Sequence, residues 1–103
     1  MPKIRMPKEV AEAVRERSQG RCELCGLPAP RGVIHHRQPR GMGSTTVSPH
    51  VLPNLLYLHD SEHRELHANP AKAYRDGTLV RHPTDPETVP VQTAAGEVWL
   101  TSG

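Results

Sequence analysis

Five of the chain's seven histidines lie in the first and last of three short groups of residues that follow one another closely. Residues 35–40 begin with a His-His pair, residues 53–58 contain an Asn after a Pro, and residues 59–67 hold three further histidines. A short strand, a loop and a helix would fill the gaps between these groups. A small core does not need so many imidazoles, whereas histidine is a very common metal ligand. The pattern therefore predicts a metal site on a hairpin-plus-helix scaffold.

The rest of the composition predicts a small domain with a thin core. The chain has 103 residues, of which 35% are hydrophobic and 3% aromatic, with no Phe. Domains of this kind often gain stability from a metal, a disulfide or a partner subunit. We expect one domain over residues 1–103, with its core at about residues 18–80, an N-terminal arm and helix at 1–17, and a C-terminal extension at 78–103.

The first half of the chain predicts one helix and two strands. Apolar residues recur at helical spacing over about residues 8–18, and Gly20 can end that helix. A β-type run at 32–34 leads into the His-His pair, and a second apolar run at 51–58 is expected to return beside it. Residues 37–50 between them predict a loop that is too polar for the core.

The second half adds a helix and a hairpin. An Asp or Ser at 60–61 can cap a helix that runs to about residue 67, and a further turn follows up to Gly77. The apolar runs at 89–91 and 97–101, separated by Ala-Ala-Gly, predict a C-terminal β-hairpin. Together these elements predict an α+β fold.

Charge is distributed unevenly, although the net charge is only +2. Basic residues outnumber acidic ones in the first 21 positions, and Arg31, Arg37 and Arg40 flank the His-His pair without an acidic residue between them. Such a local positive field could face DNA, or it could be a solvated surface without a partner.

The two cysteines are the next candidate ligands. Cys22 and Cys25 form a CxxC motif followed by Gly26, which lets both thiolates face one ion, although a redox pair or two free thiols would look the same. No apolar run approaches the roughly 20 residues that span a bilayer, and the N-terminus lacks the apolar segment of a signal peptide. We therefore expect a reducing, cytoplasmic location.

The spacing of the histidines along the predicted helix and strand indicates which side chains can lie on the same face. His63 and His67 are four residues apart on the predicted helix and can share an ion, while His59 lies at or before the helix start and should point elsewhere. His35 and His36 are adjacent on a strand, so one imidazole can face a metal while the other faces a substrate.

These motifs, taken in order, resemble the HNH endonuclease family, especially its small phage-type members with a ββα-metal fold. The resemblance covers about residues 18–80. The matching motifs are Cys22-x-x-Cys25, His35-His36-Arg37-x-Pro39-Arg40-Gly41, Asn54 and His63-x-x-x-His67.

The resemblance implies a metal-dependent DNA endonuclease that hydrolyses phosphodiester bonds. It implies that His36 is the general base and that a divalent ion (Mg, Mn, Ni or Zn) is held by His35, His63 and His67. Asn54 cannot do acid-base work, so a positioning role is expected. The residues alone leave two alternatives open: His35 and His36 could exchange roles, and His67 could contact DNA instead of the metal.

The chain departs from the family at a second zinc-binding pair. Relatives with a structural zinc usually carry a further CxxC or CxxH before the helix histidine, where this chain has His59 and Glu62. Thiolate, imidazole and carboxylate all ligate zinc. A structural zinc on Cys22, Cys25, His59 and Glu62 is therefore one alternative. The second alternative is a zinc held by Cys22, Cys25, His59 and a water molecule. The third is that no second ion is bound.

Two functions from different classes follow. The leading hypothesis is a nicking or weakly specific nuclease whose Arg37, Arg40 and Arg64 contact phosphates, and which could work with phage terminase subunits in the host cytoplasm. The alternative is a zinc-stabilised DNA-binding module without catalysis. That module would have no use for an imidazole that activates water.

Overall fold

A short antiparallel hairpin and the helix after it form the centre of the fold. A computed structural model describes residues 6–38 and 50–101. In chain order its elements are α1 (Lys8–Ser18), β1 (Val33–His36), β2 (Leu55–Leu58), α2 (Asp60–Ala68), α3 (Pro70–Asp76), β3 (Val91–Thr93) and β4 (Gly96–Val98), with 3-10 turns at Leu52–Asn54 and Pro86–Thr88. The predicted α+β class is confirmed.

Helix α1 covers one side of the hairpin and has the predicted bounds. Val14 on its apolar stripe is fully buried, and the helix ends where Gln19 and Gly20 adopt positive φ angles of 57° and 71°. Arg17 fastens the helix to the sheet, because its guanidinium binds the Glu23 carboxylate at 2.8 Å and also donates to the Leu55 carbonyl.

Strands β1 and β2 pair antiparallel, as the two apolar runs predict. Val33 lies opposite Leu58, and His36 lies opposite Leu55. All of β2 is buried; α1 packs against β2, and α2 packs against its partner strand β1. An apolar run without alternation is what burial of both faces requires.

The predicted C-terminal hairpin is present as the antiparallel pair β3–β4. Val91 in β3 is fully buried, and the Ala94 N–H donates to the Leu24 carbonyl at 2.8 Å. The hairpin is therefore docked on the segment between the two cysteines. Strand β4 is exposed along its length, and Trp99 just after it is 55% exposed.

The prediction that residues 37–50 are too polar for the core is wrong at both ends of that segment. Arg37 has no exposed surface, and His50 is only 6% exposed. The Arg37 guanidinium donates to the main-chain carbonyls of Gly77, Pro53, Pro86 and Val89. These bonds satisfy a buried cation and join the end of β1 to three later segments.

No helix in the two described ranges is long and apolar enough to cross a membrane.

Candidate metal centres

The CxxC motif folds into a tight turn that presents both sulfur atoms on one side. The Cys22 sulfur accepts hydrogen bonds from the N–H groups of Leu24 at 3.3 Å and Cys25 at 3.4 Å. Gly26 takes a φ of +80° and donates its N–H to the Cys22 carbonyl at 2.9 Å. These N–H groups lower the pKa of the Cys22 thiol, but burial and the bond to Glu62 outweigh them, so Cys22 is a thiol without a metal.

The start of α2 brings two more donors to the same point. Glu62 Oε1 lies 2.6 Å from His59 Nδ1, 2.9 Å from Cys22 Sγ and 3.5 Å from Cys25 Sγ. We call these four residues the cysteine cluster; their donor atoms all lie within 4.8 Å of one another. Two sulfurs, an imidazole nitrogen and a carboxylate oxygen form a donor set suited to a tetrahedral ion.

The His59 ring is oriented for this cluster by its other nitrogen. Its Nε2 lies 2.9 Å from the Pro28 carbonyl, which can only accept a hydrogen bond, so Nε2 carries the proton. The lone pair of neutral His59 is then on Nδ1, the atom that faces Cys25 and Glu62. Outer hydrogen bonds of this kind are usual for metal-bound histidines.

Protonation in the cysteine cluster reflects mutual hydrogen bonding. Burial, followed by the bond to Glu62, raises the pKa of Cys22 to about 11. Burial also opposes the charge of Glu62, but bonds from Cys22, His59 and Cys25 outweigh it and lower that pKa. The bond to Glu62 raises the pKa of His59. A cation at this point would replace these protons.

A second group, the histidine cluster, combines β1 with the far side of α2. It consists of His35, His63 and His67, whose ligand nitrogens lie within 4.8 Å of one another. The centroid of the His35 ring is 5.1 Å from that of His63 and 5.4 Å from that of His67. The predicted meeting of a strand histidine with an i, i+4 helix pair is confirmed.

His35 is held in the same manner as His59. Its Nε2 lies 2.7 Å from the Thr78 carbonyl, so Nε2–H donates and Nδ1 carries the lone pair. Burial lowers the pKa of His35 to about 4, with smaller repulsive contributions from the neighbouring histidines. Burial and then His67 also lower the pKa of His63. Neutral imidazoles, the form that binds metals, are favoured here.

Helix α2 therefore serves both clusters. Glu62 and His63 are consecutive, and a rotation of about 100° per residue sends them to different sides of the helix. His59 belongs to the cysteine cluster rather than to the His63 face, as the sequence predicts.

His36 follows His35 on β1 but lies outside both clusters and is partly exposed. Its Nε2 is 3.1 Å from Nδ1 of His50. The sequence analysis missed His50, because a single histidine at the end of a long polar stretch of sequence has no spacing relation to the other motifs. Its only local signal is its position two residues before the 3-10 turn.

Asn54 forms hydrogen bonds with the two residues that follow His36. Its Oδ1 accepts from the Gln38 N–H at 2.8 Å, its Nδ2 donates to the Gln38 carbonyl at 3.3 Å, and its own carbonyl accepts from the Arg37 N–H at 2.8 Å. These bonds join the end of β1 to the turn before β2. The geometry suits a positioning residue rather than an acid or base.

The three arginines predicted to contact phosphates have different environments. Arg37 is buried on main-chain carbonyls, which corrects its prediction as a phosphate contact, because an exposed anion cannot reach it. Arg64 is 80% exposed in its side chain and pairs with Asp60 at 2.6 Å. Arg40 lies outside the described residues.

Comparison of the chain with protein-family models, with curated proteins and with solved structures gave no significant match.

Proposed function

We propose that this protein is a metal-dependent DNA endonuclease of the HNH type, with a ββα-metal arrangement formed by β1, β2 and α2. The observation that carries the proposal is the histidine cluster, in which one strand and one helix supply three imidazoles to a single point. A fourth imidazole, His36, is adjacent in β1 and lies outside that cluster. Phosphodiester hydrolysis needs both an electrophilic ion and a nearby base.

The histidine cluster would hold the catalytic ion. A divalent cation bound there would act as a Lewis acid on a phosphoryl oxygen. Three protein ligands leave room for a substrate oxygen, as in many catalytic metal sites. Imidazole donors favour Zn, Ni or Mn over Mg, although an incoming phosphate and the cellular supply can reverse that order.

The burial of His35 supports its assignment to the metal and that of His36 to the base. His35 is 2% exposed and its ring lies against the rings of His63 and His67, whereas His36 is partly exposed. A base must meet water and the scissile phosphate. The position of His67 within the cluster similarly supports a metal ligand rather than a DNA contact.

In this mechanism the side chains have separate tasks. His36 takes a proton from the attacking water, and Asn54 keeps the strand end in place through Gln38. Arg64, exposed on α2, is the described arginine best suited to contact a phosphate. We expect nicking or weakly specific cleavage, with any further specificity coming from a partner such as a phage terminase subunit.

The cysteine cluster would hold a structural zinc in the same proposal. It ties the cysteine turn to the first turn of α2, the helix that also carries His63 and His67. An ion at this position would therefore stabilise the helix on which the catalytic site depends. The convergence of four donors supports the complete Cys22, Cys25, His59 and Glu62 set over the alternatives that omit Glu62.

Cleavage of supercoiled plasmid tests the function directly. The wild-type protein is assayed with Mg, Mn, Ni and Zn ions beside His36→Ala, with His82→Ala as a control that removes an exposed histidine. We expect His36→Ala to abolish cleavage while metal content and circular dichroism stay unchanged, and His82→Ala to cleave normally. Undiminished cleavage by His36→Ala would refute the assignment of the base.

The alternative, a DNA-binding module without catalysis, predicts a different outcome. Such a protein would shift DNA in a gel but leave the plasmid intact with every metal. It would also leave the histidine cluster without a purpose, which is why we favour the nuclease.

A further inference from the structure

Two imidazoles outside the metal clusters form a contact that the function proposed above does not explain. His50 Nδ1 lies 3.1 Å from His36 Nε2, with ring centroids 5.1 Å apart and ring planes at 61°. His50 is 6% exposed. A contact of this length between two neutral rings requires one nitrogen to donate and the other to accept.

We propose that His50 is a positioning residue for His36, and this inference rests on the nuclease function proposed above. In this arrangement the Nε2–H of His36 donates to the unprotonated Nδ1 of His50. The bond fixes the rotation of the His36 ring about its side-chain torsions. It also selects the neutral tautomer whose Nδ1 carries the lone pair that accepts a proton from water.

We assign the direction of this bond by comparison with His35 and His59. Each of these directs Nε2 at a main-chain carbonyl, of Thr78 and Pro28 respectively, and His59 has its Nδ1 on the side of Cys25 and Glu62. In His36 the same nitrogen meets the His50 ring. His50 would thus provide the acceptor that a carbonyl provides for the other two histidines.

The opposite direction would defeat the assignment of the base. If Nδ1–H of His50 donated to Nε2 of His36, neutral His36 would carry its proton on Nδ1 and would have used its only lone pair. It could not then accept a proton from water. The His36–His50 bond therefore decides whether His36 can act as a base.

Two substitutions at His50 separate positioning from space filling. Asn can place an amide oxygen near the position of the histidine Nδ1 and accept the same hydrogen bond. Leu has a comparable size but cannot accept one. We expect kcat for plasmid cleavage to fall about 10- to 100-fold in His50→Leu, as is typical when a positioning bond is lost. We expect KM to stay near the wild-type value and His50→Asn to keep most of kcat.

The controls keep this result distinct from misfolding and from failure of the proposed function. His82→Leu replaces an exposed histidine and should behave as wild type. Metal content should be unchanged in both His50 variants, because His50 belongs to neither cluster. Active wild-type protein with an equally active His50→Leu variant would overturn the role of His50 and leave the nuclease intact. If the wild-type protein fails to cleave plasmid with every one of the four metal ions, the nuclease function and the role of His50 in catalysis are overturned together.

Nitrogen-15 NMR of the histidine side chains provides a readout that a merely structural His50 would not change. In wild-type protein at neutral pH we expect His36 as the Nε2–H tautomer and His50 with an unprotonated Nδ1. In His50→Leu the preference of His36 for that tautomer should weaken. Finding His36 with its proton on Nδ1 in the wild-type protein would overturn the inference, even if His50→Leu failed to fold.

Discussion

Replacement of Arg37 by Met tests whether this arginine is structural or a DNA contact. Met has a similar length but cannot donate, so the buried carbonyls of Gly77 and Pro53 and the partly buried carbonyls of Pro86 and Val89 lose this donor. An unsatisfied buried group costs about 1–3 kcal/mol, which gives about 2–6 kcal/mol for the two buried carbonyls and less for the two that water can reach. Part of this is offset because no charge has to be buried, and burial does lower the pKa of Arg37 to about 10. We expect a net loss of about 3–5 kcal/mol in the free energy of unfolding.

That loss is large for a domain whose total stability is about 5–15 kcal/mol. Urea unfolding at low temperature, monitored by circular dichroism, measures the loss. Arg64→Met is the matched control, because its side chain is 80% exposed and its pair with Asp60 contributes no more than about 1 kcal/mol. We expect Arg64→Met to weaken DNA binding without destabilising the fold. Arg37→Met with wild-type stability and weakened DNA binding would refute the structural role.

Three other predictions concern the metal sites and the backbone. Wild-type protein dialysed against a weak chelator should retain tightly bound zinc, and Cys22→Ser should lose it; elemental analysis measures the difference, and a zinc-free wild-type protein would contradict it. The pKa of His35 is about 4 in the folded protein and 6.5 when unfolded. The free energy of unfolding of the metal-free protein should therefore fall by on the order of 3 kcal/mol as pH is lowered from 6.5 to 4. Urea titrations across that range should show a weaker pH dependence in His35→Gln, and equal dependence would argue against the buried neutral ring. Gly77 and Gly26 share a φ of +80°, but an added Cβ would clash with the Pro90 carbonyl only at Gly77. In thermal melts Gly77→Ala should therefore be much more destabilising than Gly26→Ala, for which only about 1–2 kcal/mol of backbone strain is expected. Equal losses of stability in the two variants would contradict the close approach of the Pro90 carbonyl to Gly77.

Local spacing made much of this protein predictable from its sequence. The bounds of α1, the pairing of β1 with β2 and the C-terminal hairpin depend on the period of apolar residues and on nearby turn residues, which neighbours in the chain determine. The His63–His67 pair depends only on helical geometry. The separation of His59 from that pair follows equally from its place at the helix start.

The positions of Arg37 and His50 could not be predicted in this way. A polar residue in a loop is normally solvated, and only distant segments can make its burial favourable. For Arg37 those segments are the end of α3, the turn before β2 and residues 86–89. For His50 the partner is an imidazole on β1.

The sequence by itself therefore determined which residues are able to bind metal and which of them share a helix turn or a strand end. Only the tertiary structure decided which nitrogen of His35 and of His59 is bonded to a carbonyl; for His35 that carbonyl belongs to Thr78, 43 positions further along the chain. It also decided which polar side chains are buried. The physical reason is that helix and strand periodicity act between near neighbours, whereas the orientation of a buried polar group depends on whichever remote donor or acceptor satisfies it.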